Sequence, residues 1–394
     1  MNTKGFKFLT SMLFAVIFCS QSFAQSPLAK HEALASKLVN LCANVQENDN
    51  VLISGSVRDA DLLDELAIQA MKSGAFSVVN LESEQRSRRY FDVVPAKYDS
   101  RKPEMILNLM NQIDVVISVE VGESIGLFKD VPSERLAAVQ KASQSVGEVF
   151  AQKNIRSVDL GNGLYPTDAL AKQFGITKAQ LSELFWNGIN VDYMTLQKKG
   201  DAVKQILATG EKVKITSPAG TELTMEISTR PVFVSDGVIS DEEMKKGFPA
   251  CQVWLPAGEV YVTPVPGSAE GSILLEHFLY QDKTIEQLKL TFKAGKLVSM
   301  SAKSGLESYK ERYDAAGEGK DEFGYIDLGL NPEVKIIPGS KMEAWMATGM
   351  VTVGIGNNKW AGGENVCPYG SSYHITNATV SVDGTVLIEN GMLK

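Results

Sequence analysis

The chain has 394 residues, of which 44% are hydrophobic and 22% charged, a composition ordinary for a globular protein. Its formal net charge of -8 argues against nucleic acid as a partner, because binding to phosphates rests on a basic surface. Beyond the first residues, no stretch is long and apolar enough to span a bilayer.

Residues 1–24 read as a signal peptide. Lys4 and Lys7 form a short basic segment, Phe8 to Cys19 is mostly apolar, and Ser22 and Ala24 are the small residues signal peptidase requires. The expectation is an exported protein, periplasmic or secreted, with the mature chain starting at Gln25. About 370 residues then remain, room for roughly two domains. The mature cysteines Cys42, Cys251 and Cys367 permit one disulfide and one thiol in an oxidising compartment, with the pairing open. They contain no CxxC spacing for a zinc–thiolate or redox site.

From residue 29 the chain alternates helix and strand signals. Ala29 to Val45 has helical apolar spacing, VLISG (Val51 to Gly55) is a short apolar run, and Asp59 to Ser73 is helical. Strands follow at Ser77 to Leu81, Asp114 to Glu120 and Ile155 to Gly161, separated by helices at Met105 to Gln112 and Ser133 to Asn154. This pattern predicts a parallel, three-layer α/β domain over 25–208. The turn after the first strand, SGSVRDADLL, lacks GxGxxG and Walker spacing, so a nucleotide site is not expected. The basic cluster Arg86, Arg88 and Arg89 reads as a solvated helix end or loop rather than an anion site. Thr167 is placed as the N-cap of a helical stretch running to Leu207.

Strand signals dominate from 209 to 394. Lys212 to Ser228 is a hairpin around Pro-Ala-Gly. Further strands are expected at Gln252 to Trp254, Gly258 to Val262, Ser272 to Leu275, Gln287 to Lys293, Lys296 to Ser301, Ala347 to Ile355 and Thr376 to Ile388. One helix, Ser304 to Ala316, packs on them. The fold class is therefore α/β, with the parallel domain followed by a β-rich α+β domain holding the site.

That site is marked by Gly-rich corners that each carry a polar side chain: LPAGEV (Leu255 to Val260), LGLNP (Leu328 to Pro332), GIGNN (Gly354 to Asn358) and YHIT (Tyr373 to Thr376). With TSPAGTELTMEI, LPAGEVYVTPVPGSAEG and AGGEN, these pieces resemble the aminopeptidase T family of thermophilic metallopeptidases. An iron-dependent dioxygenase of dihydroxypyridine is also similar to that family. The resemblance implies a two-metal site of two glutamates, two histidines, a tyrosine and an aspartate, and a homodimer. Glu259 matches the first glutamate and His374 the second histidine. The other four ligand positions hold Tyr325, Thr352, Lys359 and Thr376.

Two ligands do not offset the charge and desolvation of two cations. The iron chemistry, which needs two histidines and a carboxylate on one face, loses a histidine at Thr352 and the carboxylate at Thr376. Asp327 and Glu364 lie in the right loops to complete a mononuclear site with Glu259 and His374. Lys359 brings positive charge where metal charge sat and is a candidate partner for Glu259. A Cys367–His374 nucleophilic pair lacks an orienting group, His31 and His277 read as surface residues, and GxSxG and HExxH are absent. The expectation is an exported aminopeptidase-like protein with altered or lost metal binding, using zinc, cobalt or manganese if active and no cofactor otherwise. The alternative is a non-catalytic protein that binds a peptide or small molecule in the same cleft.

Overall fold

The computed structural model describes residues 27–394, so the leader lies outside the described residues. The first half is built on a five-stranded parallel sheet. Its strands run in the order Phe76–Glu82, Asn50–Ser56, Val115–Val119, Arg156–Leu160 and Gln252–Leu255. One row of β-branched side chains crosses it, with Ile53 opposite Ile117, Ile117 opposite Val158 and Val158 opposite Val253. All four are buried in a single core with Leu63, Leu66 and Phe185. Such continuous apolar runs are what a sheet covered on both faces requires.

The expected helices are present. Pro27–Ser36 continues through Lys37–Cys42, and Ala60–Lys72, Glu104–Met110 and Ser133–Gln152 follow in order. Thr167 caps the next one, its Oγ1 accepting from the Leu170 N–H at 3.2 Å. The arginine cluster corrects one expectation. It lies within a formed helix, Glu84–Val93, where Arg88 pairs with Asp92 at 2.9 Å and with Asp130.

A second correction concerns Gln252–Leu255, which belongs to the parallel sheet and not to the β-rich half. A strand of four residues chooses its partner by tertiary packing, and local sequence does not encode that choice.

The β-rich half holds two antiparallel sheets. The larger has eight strands, in the order Lys296–Ser301, Lys283–Lys293, Glu270–Tyr280, Glu222–Glu226, Lys212–Thr216, Thr379–Val382, Thr385–Glu389 and Met392–Leu393. The smaller has five, in the order Gly370–Ile375, Val351–Gly356, Phe323–Gly329, Glu259–Val262 and Val232–Ser235. Alternation along the smaller sheet separates its two faces. Val260, Val262, Ile326, Leu328, Val351 and Val353 pack into the core shared with the larger sheet. Glu259, Tyr261, Tyr325, Asp327, Thr352 and His374 lie on the other face.

The disulfide that an oxidising compartment would permit is not formed. Cys42, Cys251 and Cys367 are each free and buried, and two of them have separate local partners. The Cys251 thiol donates to the Glu243 carbonyl and the Cys367 thiol to the Tyr369 carbonyl. His31 and His277 are half-buried rather than fully on the surface. Among the described residues, no helix is long and apolar enough to cross a membrane.

Candidate functional site

LPAGEV carries the chain from the last parallel strand into the smaller antiparallel sheet, and LGLNP locks it there. Gly258 has φ +126°, and a Cβ at that position would stand 2.8 Å from the Asn331 backbone nitrogen. Only glycine allows so close an approach. The fully buried Asn331 amide donates to the carbonyls of Ala257 at 2.6 Å and Gly188 at 3.1 Å, and its Oδ1 accepts from Glu333 N–H. Asn331→Ala strands two buried carbonyls and is expected to destabilise the protein by about 2–4 kcal/mol. Urea denaturation would measure this, and a loss under about 0.5 kcal/mol would show that the lock is not structural. GIGNN is tied in the same way: Asn358 Nδ2 donates to Gly324 O at 3.1 Å, and its Oδ1 accepts from Asn365 N–H at 2.9 Å.

These corners place a cavity of about 650 Å³ between the smaller antiparallel sheet and the carboxyl ends of three parallel strands. Open α/β sheets bind ligands at such strand ends. Glu120 directly follows one strand, Asp159 is the penultimate residue of the next, and Trp254 sits in the third. Glu259 and Asp327 line the opposite wall. They are near neighbours on one sheet face, since Glu259 stands opposite Gly329 and Asp327 opposite Tyr261.

Glu259 Oε1 accepts from Asn162 Nδ2 at 2.7 Å, and Asn162 Oδ1 accepts from Trp345 Nε1 at 2.6 Å. Asp327 is 5% exposed, and its Oδ1 has no hydrogen-bond partner. Burial holds the Glu259 carboxyl well above the usual range, and burial together with the Glu259 charge does the same for Asp327. Burial pushes Asp159 up to about 7, with the Glu120 charge adding to the shift, and burial raises Glu120 as well. Four carboxyls thus share a space that favours their neutral forms.

Of the residues expected from sequence, the structure gathers only Glu259, Asp327 and Tyr325 around this cavity. Tyr325 donates or accepts a 2.6 Å hydrogen bond with Ser372 Oγ, and its ring fills the space over Gly354. His374 instead shares a 2.9 Å hydrogen bond with Thr352 through Nδ1 and lines a separate crevice with Glu343 and Thr376. Burial lowers its pKa to about 3, so the imidazole is neutral. The Trp345 indole lies between the two regions, its ring centroid 4.7 Å from that of His374 and its N–H on Asn162.

Two further expectations are corrected. Lys359 is exposed on the short helix Lys359–Ala361 and does not pair with Glu259, whose hydrogen-bond partner is Asn162. Glu364 is exposed and lines another crevice with Arg230, so it cannot complete a mononuclear site. Thr376 is likewise exposed. Cys367 and His374 have separate partners, which removes the nucleophilic pair.

The donor set therefore does not fit a metal centre of the kind the resemblance implies. Among the described residues, no three His, Cys, Asp or Glu side chains converge as ligands. The sequence reading missed Glu120, Asp159, Asn162 and Trp345. The first two had a usable signal, since both stand at the carboxyl end of a parallel strand. Asn162 and Trp345 had none, because their roles arise from contacts 183 residues apart in the chain.

Comparison with known proteins bears out the resemblance. Aminopeptidase AmpS of Bacillus subtilis (strain 168) is 24% identical over 329 residues, covering 78% of this chain and 77% of that protein. Wild-type AmpT from Thermus thermophilus superposes with a TM-score of 0.70 at 16% identity, covering 93% of this chain and 99% of that one. The 2,5-dihydroxypyridine dioxygenase from Pseudomonas putida KT2440 superposes with a TM-score of 0.60 at 12% identity, covering 94% and 98%. At those identities the two structures establish the shared fold. The model of the thermophilic metalloprotease (M29) family matches residues 29–332, which include LPAGEV and LGLNP and stop before GIGNN and YHIT. The chain belongs to the thermophilic metalloprotease (M29) family.

Proposed function

We propose that this protein is an exported member of the family that binds a peptide or small molecule in the ancestral cleft without a two-metal hydrolytic centre. One observation carries the reading. Glu259 and Asp327 face the cavity, while His374 is bonded to Thr352 in a different crevice and Trp345 lies between them. Carboxylates without a third ligand hold a divalent ion poorly, and a hydrolytic site also needs an open position for water. The cavity volume of about 650 Å³ lies in the range of small-molecule sites. Export rests on the leader reading of residues 1–24. A homodimer is part of the proposal. The edge strand Phe76–Glu82 supports it, with Phe76 64% and Val78 51% exposed beside unpaired backbone groups.

Metal analysis of the purified protein, together with aminoacyl-anilide hydrolysis in added zinc, cobalt or manganese, tests this. The expected result is less than roughly a tenth of an equivalent of metal and no hydrolysis above buffer. A stoichiometric ion with metal-dependent hydrolysis would return the protein to the aminopeptidases.

A further inference from the structure

Gln252, Asn357 and Trp360 line the carboxyl-rich cavity and, beside it, a second crevice of about 1030 Å³. We propose that this second crevice binds a neutral oligosaccharide of several rings. The inference goes beyond the reading above and stands whether or not the neighbouring cavity holds metal.

Charge gives the first argument. One wall is the helix Ser133–Gln152, and another is the segment from Asn357 to Gly370. Among the lining side chains only Glu148 and Lys359 are charged, one of each sign, so an ionic ligand gains no net attraction. Five carboxamides stand where charge would: Gln140, Gln144 and Gln152 on the helix, together with Gln252 and Asn357. A carboxamide offers donors and an acceptor on one planar group, and vicinal hydroxyls offer both in return.

Two of these amides are fixed in place by the protein. Gln252 is 8% exposed, and its Nε2 donates to Pro249 O at 3.1 Å and to Trp360 O at 2.9 Å. Both of its N–H bonds are used, which leaves Oε1 as the acceptor for a ligand. Asn357 Oδ1 accepts from Lys359 N–H at 3.0 Å, which leaves Nδ2 as a donor. Groups held in this way lower the cost of fixing a ligand.

The helix wall supplies the room. Gly147 lies inside the helix, where glycine is less favourable than alanine. A Cβ built there meets nothing within 4 Å, so packing within the protein does not call for the glycine. It opens a flat stretch of helix beside Ser143 and Gln144, one turn before it, on which a sugar ring can lie. Phe150, Phe248 and Trp360 add the apolar surface that the C–H face of such a ring packs against.

An extended peptide matches these walls less well. The helix main chain is bonded within the helix, and Pro368 has no N–H. The Tyr369 carbonyl already accepts from Asn357 N–H and from the Cys367 thiol. Strand addition therefore finds no free edge in the crevice.

Isothermal titration of the purified protein with maltotriose, cellotriose and tri-N-acetylchitotriose tests the class. Glucose, N-acetylglucosamine and N-acetyl-tetra-alanine amide serve as comparisons. At least one trisaccharide is expected to bind with a Kd between about 10 μM and 1 mM, at least about 10-fold tighter than its own monosaccharide. The capped peptide should be silent. Gly147→Leu, which fills the open space with a good helix former, should weaken that trisaccharide about 10-fold or more, and Gln144→Ala about threefold or more. A thermal midpoint of Gly147→Leu at or above the parent's shows that the loss is not unfolding. Silence with all three trisaccharides, no gain over the monosaccharide, or binding that Gly147→Leu leaves unchanged would each overturn the proposal. Binding of the capped peptide as tight as that of any saccharide would also overturn it and reassign the crevice to a peptide.

Discussion

Raising the pH from 5 to 9 is expected to lower the stability of the ligand-free protein by about 3–5 kcal/mol, the reverse of the trend set by paired surface carboxylates. The cause is a group of acids whose ionised forms are poorly solvated. Burial pushes Asp159 and Glu343 each up to about 7 and raises Glu259 and Asp327. Below the carboxyl pKa of the unfolded chain, both states hold these protons and no penalty exists. Between that value and the raised folded value, the unfolded state ionises while the folded state stays protonated, so stability falls with pH. Above the folded value the loss is complete and the curve flattens. Each unit of upward shift is worth about 1.4 kcal/mol, and partial solvent access to Asp159 and Glu343 reduces the total.

Acids held low act in the opposite sense. Arg135 depresses Asp99, whose stabilising pair is lost as pH falls through its folded pKa. The stability maximum should therefore lie near pH 5. Denaturant midpoints at pH 5, 7 and 9 after chelation and dialysis would trace the curve, with Glu343→Gln and Asp327→Asn each flattening it. A flat parent profile, or variants with an undiminished slope, would show that water or bound cations already solvate these carboxyls.

Much of this arrangement was legible in the sequence because local patterns encode it. Apolar runs such as Val51 to Gly55 and the alternation in Lys212 to Ser228 mark strands through side-chain periodicity alone. The corners were legible for a similar reason: Gly258 and Asn331 belong to short motifs whose residue types follow from backbone geometry. Strand Phe323–Gly329 was missed even though it lies at the centre of the smaller sheet. It is buried on both faces and carries Tyr325 and Asp327, so its sequence does not alternate cleanly. The split between Glu259 and His374 was equally hidden. Both lie on one sheet face, but two strands stand between theirs, and Trp345, a residue on a loop with no periodic signal, packs against His374. Matching motifs can locate a wall of a cleft, but which side chain fills the cleft is settled by contacts distant in sequence.

If substituted ligands are what removed the metal, restoring them should bring it back. The combined variant Tyr325→Glu, Thr352→His, Lys359→Tyr and Thr376→Asp is expected to bind about two equivalents of zinc, against less than about a tenth for the parent. The sheet register supports this. Thr352 stands directly opposite His374 and Asp327 opposite Thr352, so a histidine at 352 would set two imidazoles on neighbouring strands of one face. A glutamate at 325 would join Asp327 on that face and remove the ring now lying over Gly354.

Trp345 is an obstacle the register does not clear, because its indole sits against His374 and ties up Asn162. Adding Trp345→Ala to the four changes frees both, and this five-fold variant should hold metal more tightly than the four-fold one. Zinc content after dialysis and leucine-anilide hydrolysis measure the two effects, with hydrolysis expected at least about 100-fold above the parent background once the ions are held. Folded variants that take up no zinc would mean that the corners no longer present these positions to a common point. The cleft would then have been reshaped for its new ligand, beyond the loss of four side chains.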